Sequence, residues 1–193
     1  MRTLIIDSAT NILYTALCEN DLILYESYVN GKNDHARAIL VEVQQACDQA
    51  SLELSDIDQV IVGYGPGSYT GVRMGVTVGK MIATLKPHIK LYAISTLYLM
   101  ASGYNGRVLA SIDARRGNCF GCIYDFEHDK YEVSESLVVK EDLLKNPYDS
   151  LVTEQQFKVN PHRVITHASL IKEPRLLVPN YLRETEAERN LNA

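Results

Sequence analysis

The sequence predicts an α/β fold in two lobes, the second smaller than the first, and three observations support this. Short runs of branched aliphatic and aromatic residues alternate with apolar residues at helical spacing. A strand, an aspartate, a turn and a second strand occur in that order twice, at Asp7 and at Asp113, about a hundred residues apart. The length of 193 residues accommodates two small lobes, which we expect at residues 1–103 and 104–193.

The first half predicts the element order β-β-β-α-β-α-β-α. Three apolar runs separated by turn residues predict an antiparallel meander. Apolar residues then recur at helical spacing, with Asn33 or Asp34 as the cap. The predicted strands are Leu4–Asp7, Leu13–Cys18, Leu22–Val29, Ile57–Gly63 and Lys90–Ile94, and the helices are Asp34–Ala50, Thr70–Leu85 and a short one capped by Ser95.

The second half predicts a shorter series of elements. A capped helical turn around Glu141–Lys145 precedes Pro147. We expect an extended arm at Pro179–Arg183 and a frayed or helical tail at Glu184–Asn190. The predicted strands are Arg107–Asp113, Cys119–Phe126, Tyr131–Val133, Leu137–Val139 and Val164–Thr166.

Composition excludes several classes of protein. The sequence contains 24 Asp and Glu against 19 Lys and Arg, a net charge of −5, which argues against a dedicated nucleic-acid-binding domain. Apolar residues at 46% and charged residues at 22% exclude a disordered chain. Every apolar run is shorter than the ~18 residues that span a bilayer, and the N-terminal run is too short for a signal peptide. We therefore expect a cytoplasmic protein with no membrane contact.

Cys119 and Cys122 form a C-x-x-C pair within a predicted strand. Residues three apart in a strand point to opposite faces of the sheet, and no second C-x-x-C completes a zinc site. These features favour a structural role for both cysteines. A redox or zinc role is the alternative.

The Gly/Pro-rich loop from Gly63 to Arg73 is the most distinctive segment. It follows a predicted buried strand and opens a helix, and it matches neither a Walker A loop, a Rossmann fingerprint nor a nucleophile elbow. Helix N-termini favour anions, so the loop is a candidate site for an anion or for a partner's backbone. A tight turn without a ligand is the alternative. The candidate nucleotide- or anion-binding residues in the first half of the chain are Asp7, Ser8, Gly65, Gly67, Ser68, Thr70 and Arg73.

The helix after this loop carries a small-residue face of Gly71, Gly75, Gly79 and Ala83. Each interior glycine costs ~1 kcal/mol relative to alanine, so we expect another backbone or side chain to approach this face closely. Met74, Val78 and Ile82 form a neighbouring apolar face. We expect a protein–protein interface here, with internal packing as the alternative.

Four segments resemble the TsaB (YeaZ) family, which takes part in the threonylcarbamoyladenosine modification of tRNA. They cover nearly the whole chain in the family's order: Leu4-Ile-Ile-Asp-Ser-Ala-Thr10, Gly65-Pro-Gly-Ser-Tyr-Thr-Gly-Val-Arg-Met-Gly75, Ile112-Asp-Ala-Arg-Arg-Gly117, and Pro179-Asn-Tyr-Leu-Arg183 with Glu186-Ala-Glu188. The resemblance implies an actin/Hsp70/sugar-kinase fold of two ribonuclease-H-like lobes.

The resemblance also implies a role without catalysis. The chain would bind a TsaD-like subunit that modifies adenosine 37, joined by a TsaE-like ATPase, and would make little direct contact with tRNA. The same surface would support a homodimer in competition with that complex. The interface residues expected from the helix pattern and the resemblance are His35, Ile39, Val43, Gly71, Met74, Gly75, Val78, Gly79 and Ile82.

The chemistry of the side chains favours a scaffold over an enzyme. TsaD-like proteins carry an H-x-x-x-H metal pair, whereas Ile94–Ala101 contains no histidine and none of the five histidines forms such a pair. We therefore expect no metal site and no cofactor, with ATP or ADP only at the interface with the partner complex. His35 matches a polar position common in the family, and a solvated first-turn residue is its alternative.

The alternative function is a stand-alone ATP-binding kinase or ATPase of the same fold. Asp7 and Asp113 stand where kinases of this fold place phosphate- and magnesium-associated carboxylates. We interpret both mainly as turn-capping residues, because the short second half lacks a clear adenine-binding segment. Arg115 and Arg116 are candidates for pairing with a nucleotide phosphate or an acidic partner, and a solvated basic turn is their alternative.

Overall fold

The strands of the protein form two sheets, and the helices pack around and between them. The computed structural model describes residues 1–20, 22–30 and 35–182, without the side chains of residues 35 and 36. The strands are β1 (Arg2–Asp7), β2 (Ile12–Glu19), β3 (Leu22–Asn30), β4 (Gln59–Gly63), β5 (Lys90–Ile94), β6 (Arg107–Arg115), β7 (Asn118–Asp125), β8 (Lys130–Val139), β9 (Ser150–Val152) and β10 (Ser169–Leu170). The helices are α1 (His35–Ala50), α2 (Tyr69–Leu85), α3 (Thr96–Ala101), α4 (Lys140–Leu143) and α5 (Pro161–His167).

The two sheets repeat one topology. The first has the strand order β10-β5-β4-β1-β2-β3 and the second has β8-β7-β6-β9. In each sheet a three-stranded antiparallel meander is followed by a strand parallel to its first strand: β4 lies beside β1, and β9 lies beside β6. The predicted α/β duplication is therefore confirmed.

The second lobe is a reduced copy of the first. Between the third and fourth strands the first lobe has the 16-residue helix α1, where the second lobe has the four-residue helix α4. The first sheet continues past β4 to β5, whereas the second sheet ends at β9 in the described part of the chain. Within the described residues, the helix that covers the second sheet is therefore much shorter than the one that covers the first.

Helix α3 lies between the two sheets. On one side Leu99 packs in the cluster that contains Ile5 and Ile61 from the inner face of the first sheet. On the other side Met100 packs with Ala110 from the second sheet. Helices α1 and α2 cover the opposite face of the first sheet. The buried run of α3 thus joins the cores of the two lobes.

The chain returns to the first lobe after the second is complete. Strand β10 pairs with β5 in the first sheet, and Lys80 Nζ on α2 donates to the carbonyls of Arg175 and Leu177 at 2.8 and 3.1 Å. The segment that enters the second lobe lies beside the segment that leaves it. Gly103 N in the first donates to the Lys158 carbonyl in the second at 2.9 Å. The lobe boundary near residue 103 stays a prediction. Strand β10, which falls within the range predicted for the second lobe, pairs in the first sheet.

Two strand predictions in the second half are wrong. Val164–Thr166 lies in helix α5, because Asn160 caps that helix by accepting from Arg163 N at 3.2 Å and Pro161 occupies its first turn. Tyr131–Val133 and Leu137–Val139 are parts of one strand, β8. The predicted cap at Asn33 or Asp34, residue Arg183 of the arm and the tail Glu184–Asn190 lie outside the described residues.

Cys119 and Cys122 lie on opposite faces of β7, as predicted. Cys119 packs with Leu143 under α4, and Cys122 packs with Met100 of α3. Burial raises the pKa of both thiols, most strongly that of Cys122. These positions support the structural role. No helix within the described ranges is both long and apolar enough to cross a membrane.

Candidate functional site

Asp7 ends β1 and is completely buried. Thr96 Oγ1 donates to its Oδ2 at 2.6 Å, and Ala9 N donates to its Oδ1 at 3.0 Å. A Cβ atom added at Gly63, the last residue of β4, would overlap the carboxyl group. Burial raises the pKa of Asp7 to about 6, although both hydrogen bonds act to lower it. The carboxyl is therefore enclosed by the ends of three elements.

The Gly/Pro-rich loop packs on one side against the turn after β1. Ser68 N donates to the Ala9 carbonyl at 2.7 Å. A Cβ atom added at Gly67 would overlap the Ala9 carbonyl, and one added at Gly71 would overlap the Ser8 carbonyl. The glycines of this loop thus permit close approach of the chain's own backbone.

The C-terminal arm fills the other side of the loop. Asn180 N donates to the Tyr64 carbonyl at 2.7 Å, and Thr96 N donates to the Gly65 carbonyl at 2.9 Å. Gly65 has a φ of 102°, and a Cβ atom there would overlap the Asn180 carbonyl. The backbone that approaches these loop glycines belongs to this chain, and the predicted contact with an anion or a partner's backbone stays a prediction.

Ser68 caps α2, accepting from Gly71 N at 3.3 Å. Ser68, Thr70 and Arg73 are exposed, whereas Asp7 and Ser8 are completely buried. The residues predicted to bind an anion are therefore divided between the surface and the interior. Anion binding by the exposed residues stays a prediction.

The small-residue face of α2 packs inside the protein, so its predicted role as an external interface is wrong. A Cβ atom added at Gly75 would lie 2.8 Å from Ser8 Oγ, and one added at Gly79 would overlap Val62 of β4. Ser8 Oγ donates to the Gly71 carbonyl at 2.7 Å. The predicted interface residues that are buried are Ile39, Val43, Gly71, Gly75, Gly79 and Ile82.

The outer surface of α1 and α2 does carry exposed apolar side chains. We call Leu40, Val41, Met81 and Leu85 the α1–α2 surface; Leu40 is 58% exposed, Met81 52% and Leu85 72%. Of the predicted interface residues, Met74 and Val78 are half-buried on α2, and the His35 side chain lies outside the described residues. Sequence periodicity identified the helices, and the structure shows which of the predicted interface residues are buried.

The hairpin of the second lobe repeats the aspartate cap of the first. Asp113 Oδ1 accepts from Arg115 N at 3.0 Å, the same two-residue offset by which Asp7 accepts from Ala9 N. Both turn-capping interpretations are confirmed. Asp113, Arg115 and Arg116 are all exposed, unlike Asp7.

Sequence reasoning missed Glu154, which links the two lobes. Asn11 Nδ2, in the turn before β2, donates to Glu154 Oε2 at 2.9 Å. Burial raises the pKa of Glu154, and the negative charge of Asp113 adds to that effect. No local pattern marks this residue, because its partners come from distant parts of the chain. Among residues 1–20, 22–30 and 35–182, no three His, Cys, Asp or Glu side chains group as metal ligands do.

Comparisons with known proteins agree on one family. A family profile described as TsaD, tRNA N6-adenosine threonylcarbamoyltransferase, matches residues 29–172. The chain is 38% identical to the TsaB threonylcarbamoyladenosine biosynthesis protein of Escherichia coli K12 over 129 residues, covering 64% of this chain and 55% of the relative. It is 30% identical to the TsaB of Bacillus subtilis 168 over 135 residues, covering 68% and 58%. The structure of YeaZ from Pseudomonas aeruginosa superposes with a TM-score of 0.77 at 20% identity, covering 94% of this chain and 99% of that one.

The duplicated sheets and the matched profile define a member of the TsaD-type threonylcarbamoyltransferase family, to which this chain belongs. Within it, the curated relatives are TsaB proteins, so the TsaB (YeaZ) family predicted from the motifs is confirmed. The likeness to YeaZ shows that the chain shares the two-lobe α/β fold of that protein. The matches span little more than half the length of the curated relatives.

Proposed function

We propose that this chain is a non-catalytic subunit in the formation of N6-threonylcarbamoyladenosine at position 37 of tRNA, and that it docks a TsaD-like catalytic subunit. The TsaB relatives are named for biosynthesis of that modified nucleoside. The proposal includes a TsaE-like ATPase in the same complex, a cytoplasmic location and a competing homodimer. A nucleotide, if one takes part, binds at the interface with the partner complex.

The enclosure of Asp7 is the main observation that supports the proposed non-catalytic role. Phosphoryl transfer requires carboxylates that reach the metal ions bridging the phosphates. Asp7 is completely buried, and its two oxygens accept hydrogen bonds from Thr96 and Ala9. The glycines that would cradle a phosphate contact Ser8, Ala9 and Asn180 instead. A kinase or ATPase reaction at this point of the fold would require these contacts to break.

The α1–α2 surface supports the docking role. Contiguous apolar patches on a protein surface mark interaction sites, and the neighbouring helices α1 and α2 both carry exposed apolar side chains. Leu40 and Val41 on α1, together with Met81 and Leu85 on α2, supply large apolar side chains. We place the contact on these outer residues, flanked by Met74 and Val78, and away from the buried glycine face.

The docking surface is tested by Met81→Glu, measured by co-purification and sedimentation with the TsaD-like subunit of the source organism. A buried apolar anchor of an interface contributes on the order of 2 kcal/mol, about a thirtyfold change in affinity, so we expect loss of the complex. Leu22→Glu is the matched control, because Leu22 is 65% exposed at the start of β3 and is part of neither helix. Equal binding by both variants would remove the α1–α2 surface from the proposal.

The non-catalytic role is tested by activity. We expect the isolated chain to hydrolyse no ATP, and we expect tRNA modification by the TsaD-like subunit to depend on adding it. ATP turnover by the isolated chain that is lost in Asp7→Ala would instead establish the kinase or ATPase alternative.

A further inference from the structure

The turn between β6 and β7 has an unusual sequence for its backbone. Arg115 pairs with Asn118 across the hairpin, so Arg116 and Gly117 form a two-residue turn. Both turn residues and Arg115 have positive φ angles, of 68° at Arg115, 54° at Arg116 and 78° at Gly117. Asparagine followed by glycine is the favoured pair in such a turn, and long side chains disfavour the left-handed region. Turn geometry therefore accounts for Gly117 but not for the two arginines.

Both arginine side chains project into open space. Arg115 and Arg116 are exposed, and a Cβ atom added at Gly117 would meet nothing within 4 Å. Neither guanidinium makes an ion pair or hydrogen bond with the described residues. The carboxylate of Asp113 accepts from the backbone N–H of Arg115. The backbone N–H of the exposed Lys140 donates to the Gly117 carbonyl at 2.9 Å, which adds a third cationic residue beside the turn.

The corresponding turn of the first lobe is covered. Ser8 and Ala9 are completely buried beneath the loop that contains Gly67 and Gly71. The helix that follows β9, as α2 follows β4, is the seven-residue α5, whose Val164 packs with Ile5 and Ile61 of the first sheet. The reduction of the second lobe therefore leaves its hairpin tip available to a molecule outside the chain.

We propose that Arg115 and Arg116 bind backbone phosphates of the tRNA substrate. This inference rests on the proposed function, which supplies the substrate. The guanidinium group presents a planar fork of donors that matches phosphate, and an RNA backbone offers a phosphate at each nucleotide. Because the chain as a whole is acidic, with a net charge of −5, we confine the RNA contact to the cationic tip of the β6–β7 hairpin. The chain would add a small anchoring contact to the tRNA that the catalytic subunit holds.

The test variant is Arg115→Asn combined with Arg116→Asn. Asparagine tolerates positive φ, so the hairpin keeps its shape and the thermal unfolding midpoint stays equal or rises. The affinity of the assembled complex for an unmodified tRNA transcript is measured at several salt concentrations. We expect affinity at low salt to fall by about tenfold, because two solvent-exposed charge contacts are lost. The slope of log Kd against log salt should fall by about 1.5.

Two control variants accompany this measurement. Arg115→Lys with Arg116→Lys keeps both charges and should keep most of the salt slope. Lys172→Ser with Arg175→Ser removes two exposed charges at the far edge of the first sheet and should leave affinity and slope unchanged. Equal losses in the asparagine and serine double variants would overturn the proposal, because net charge alone would then explain them.

Co-purification without RNA separates this inference from the proposed function. An asparagine double variant that no longer joins the catalytic subunit would show that the hairpin contacts protein, which overturns the RNA contact. A wild-type chain that does not join the catalytic subunit would overturn the proposed function. The same salt titration on the isolated chain would then still decide the phosphate contact, since an unchanged slope in the asparagine variant refutes it.

Discussion

Thr96 donates a 2.6 Å hydrogen bond to Asp7, and this contact joins the first residue of α3 to the last residue of β1. Both side chains are completely buried. Helix α3 packs into the cores of both lobes. The protonation state of the Asp7 carboxyl therefore affects an element on which the packing of both lobes depends.

Stability should fall as pH rises through about 6. The pKa of Asp7 is 3.8 ordinarily and about 6 in the folded protein, so its contribution is fully present below pH 3.8 and is lost as pH rises past 6. The difference corresponds to about 3 kcal/mol. Urea unfolding between pH 4 and 8 measures the effect, with Asp7→Asn as the reference that does not titrate. The same pH dependence in both proteins would contradict the assignment.

Replacing Gly75 by alanine should destabilise the protein although alanine favours helix. The added Cβ would lie 2.8 Å from Ser8 Oγ, and overpacking of this kind costs about 1–3 kcal/mol. We expect Ser8→Ala to rescue part of that loss in the double variant, because it removes the oxygen that clashes. Thr77→Ala, on the exposed side of α2, is the control and should be neutral or slightly stabilising. Additive losses in the double-mutant cycle would contradict the contact.

Removal of the Arg163 guanidinium should loosen the connection between the lobes. Its Nη1 donates to the Ser102 and Tyr104 carbonyls, its Nη2 donates to Asn105 Oδ1 at 2.7 Å, and it lies 4.9 Å above the Phe126 ring. Hydrogen bonds from charged groups contribute about 1.5–3 kcal/mol, so we expect Arg163→Met to lose at least about 2 kcal/mol in urea unfolding.

The control for this change is Arg175→Met at an exposed position, which we expect to alter stability by less than about 0.5 kcal/mol. Arg163→Lys should recover only part of the loss, because an ammonium group lacks the planar fork. Equal stability of the lysine variant and the wild type would show that charge alone is required.

The thiols of Cys119 and Cys122 should resist alkylation in the folded protein. Thiolate is the reactive form, and burial raises the pKa of both groups. We expect iodoacetamide at neutral pH to modify them only after unfolding, as followed by mass spectrometry. Rapid modification of either thiol in the native state would revive the redox interpretation of the C-x-x-C pair.

Elements with a continuous local signal were predictable. Lys90–Ile94 was predicted with its observed bounds, and the caps at Ser68 and Ser95 follow from their hydroxyl groups. The run Val164–Thr166 was misread because its β-branched residues favour strands. The cap Asn160 and the following Pro161, which begin α5, were the stronger signal and act through the backbone donors of the first turn.

The candidate site was predictable only as a set of residues. The spacing of Gly71, Gly75 and Gly79 correctly indicated a close approach, since only close contact offsets the cost of glycine in a helix. Which molecule approaches depends on contacts from distant parts of the chain. Ser8 and Asn180 lie far from the loop in sequence, so no local pattern identifies them.

The pairing of β10 with β5 affects the order of events during synthesis. The ribosome releases β5 about 75 residues before β10, at the typical rates of ~5–20 residues per second, so the edge of β5 stays open while the whole second lobe is made. Unpaired strand edges promote aggregation. The first lobe to begin folding is therefore the last to be finished, and a nascent chain that stalls before residue 169 would present that open edge to chaperones and proteases.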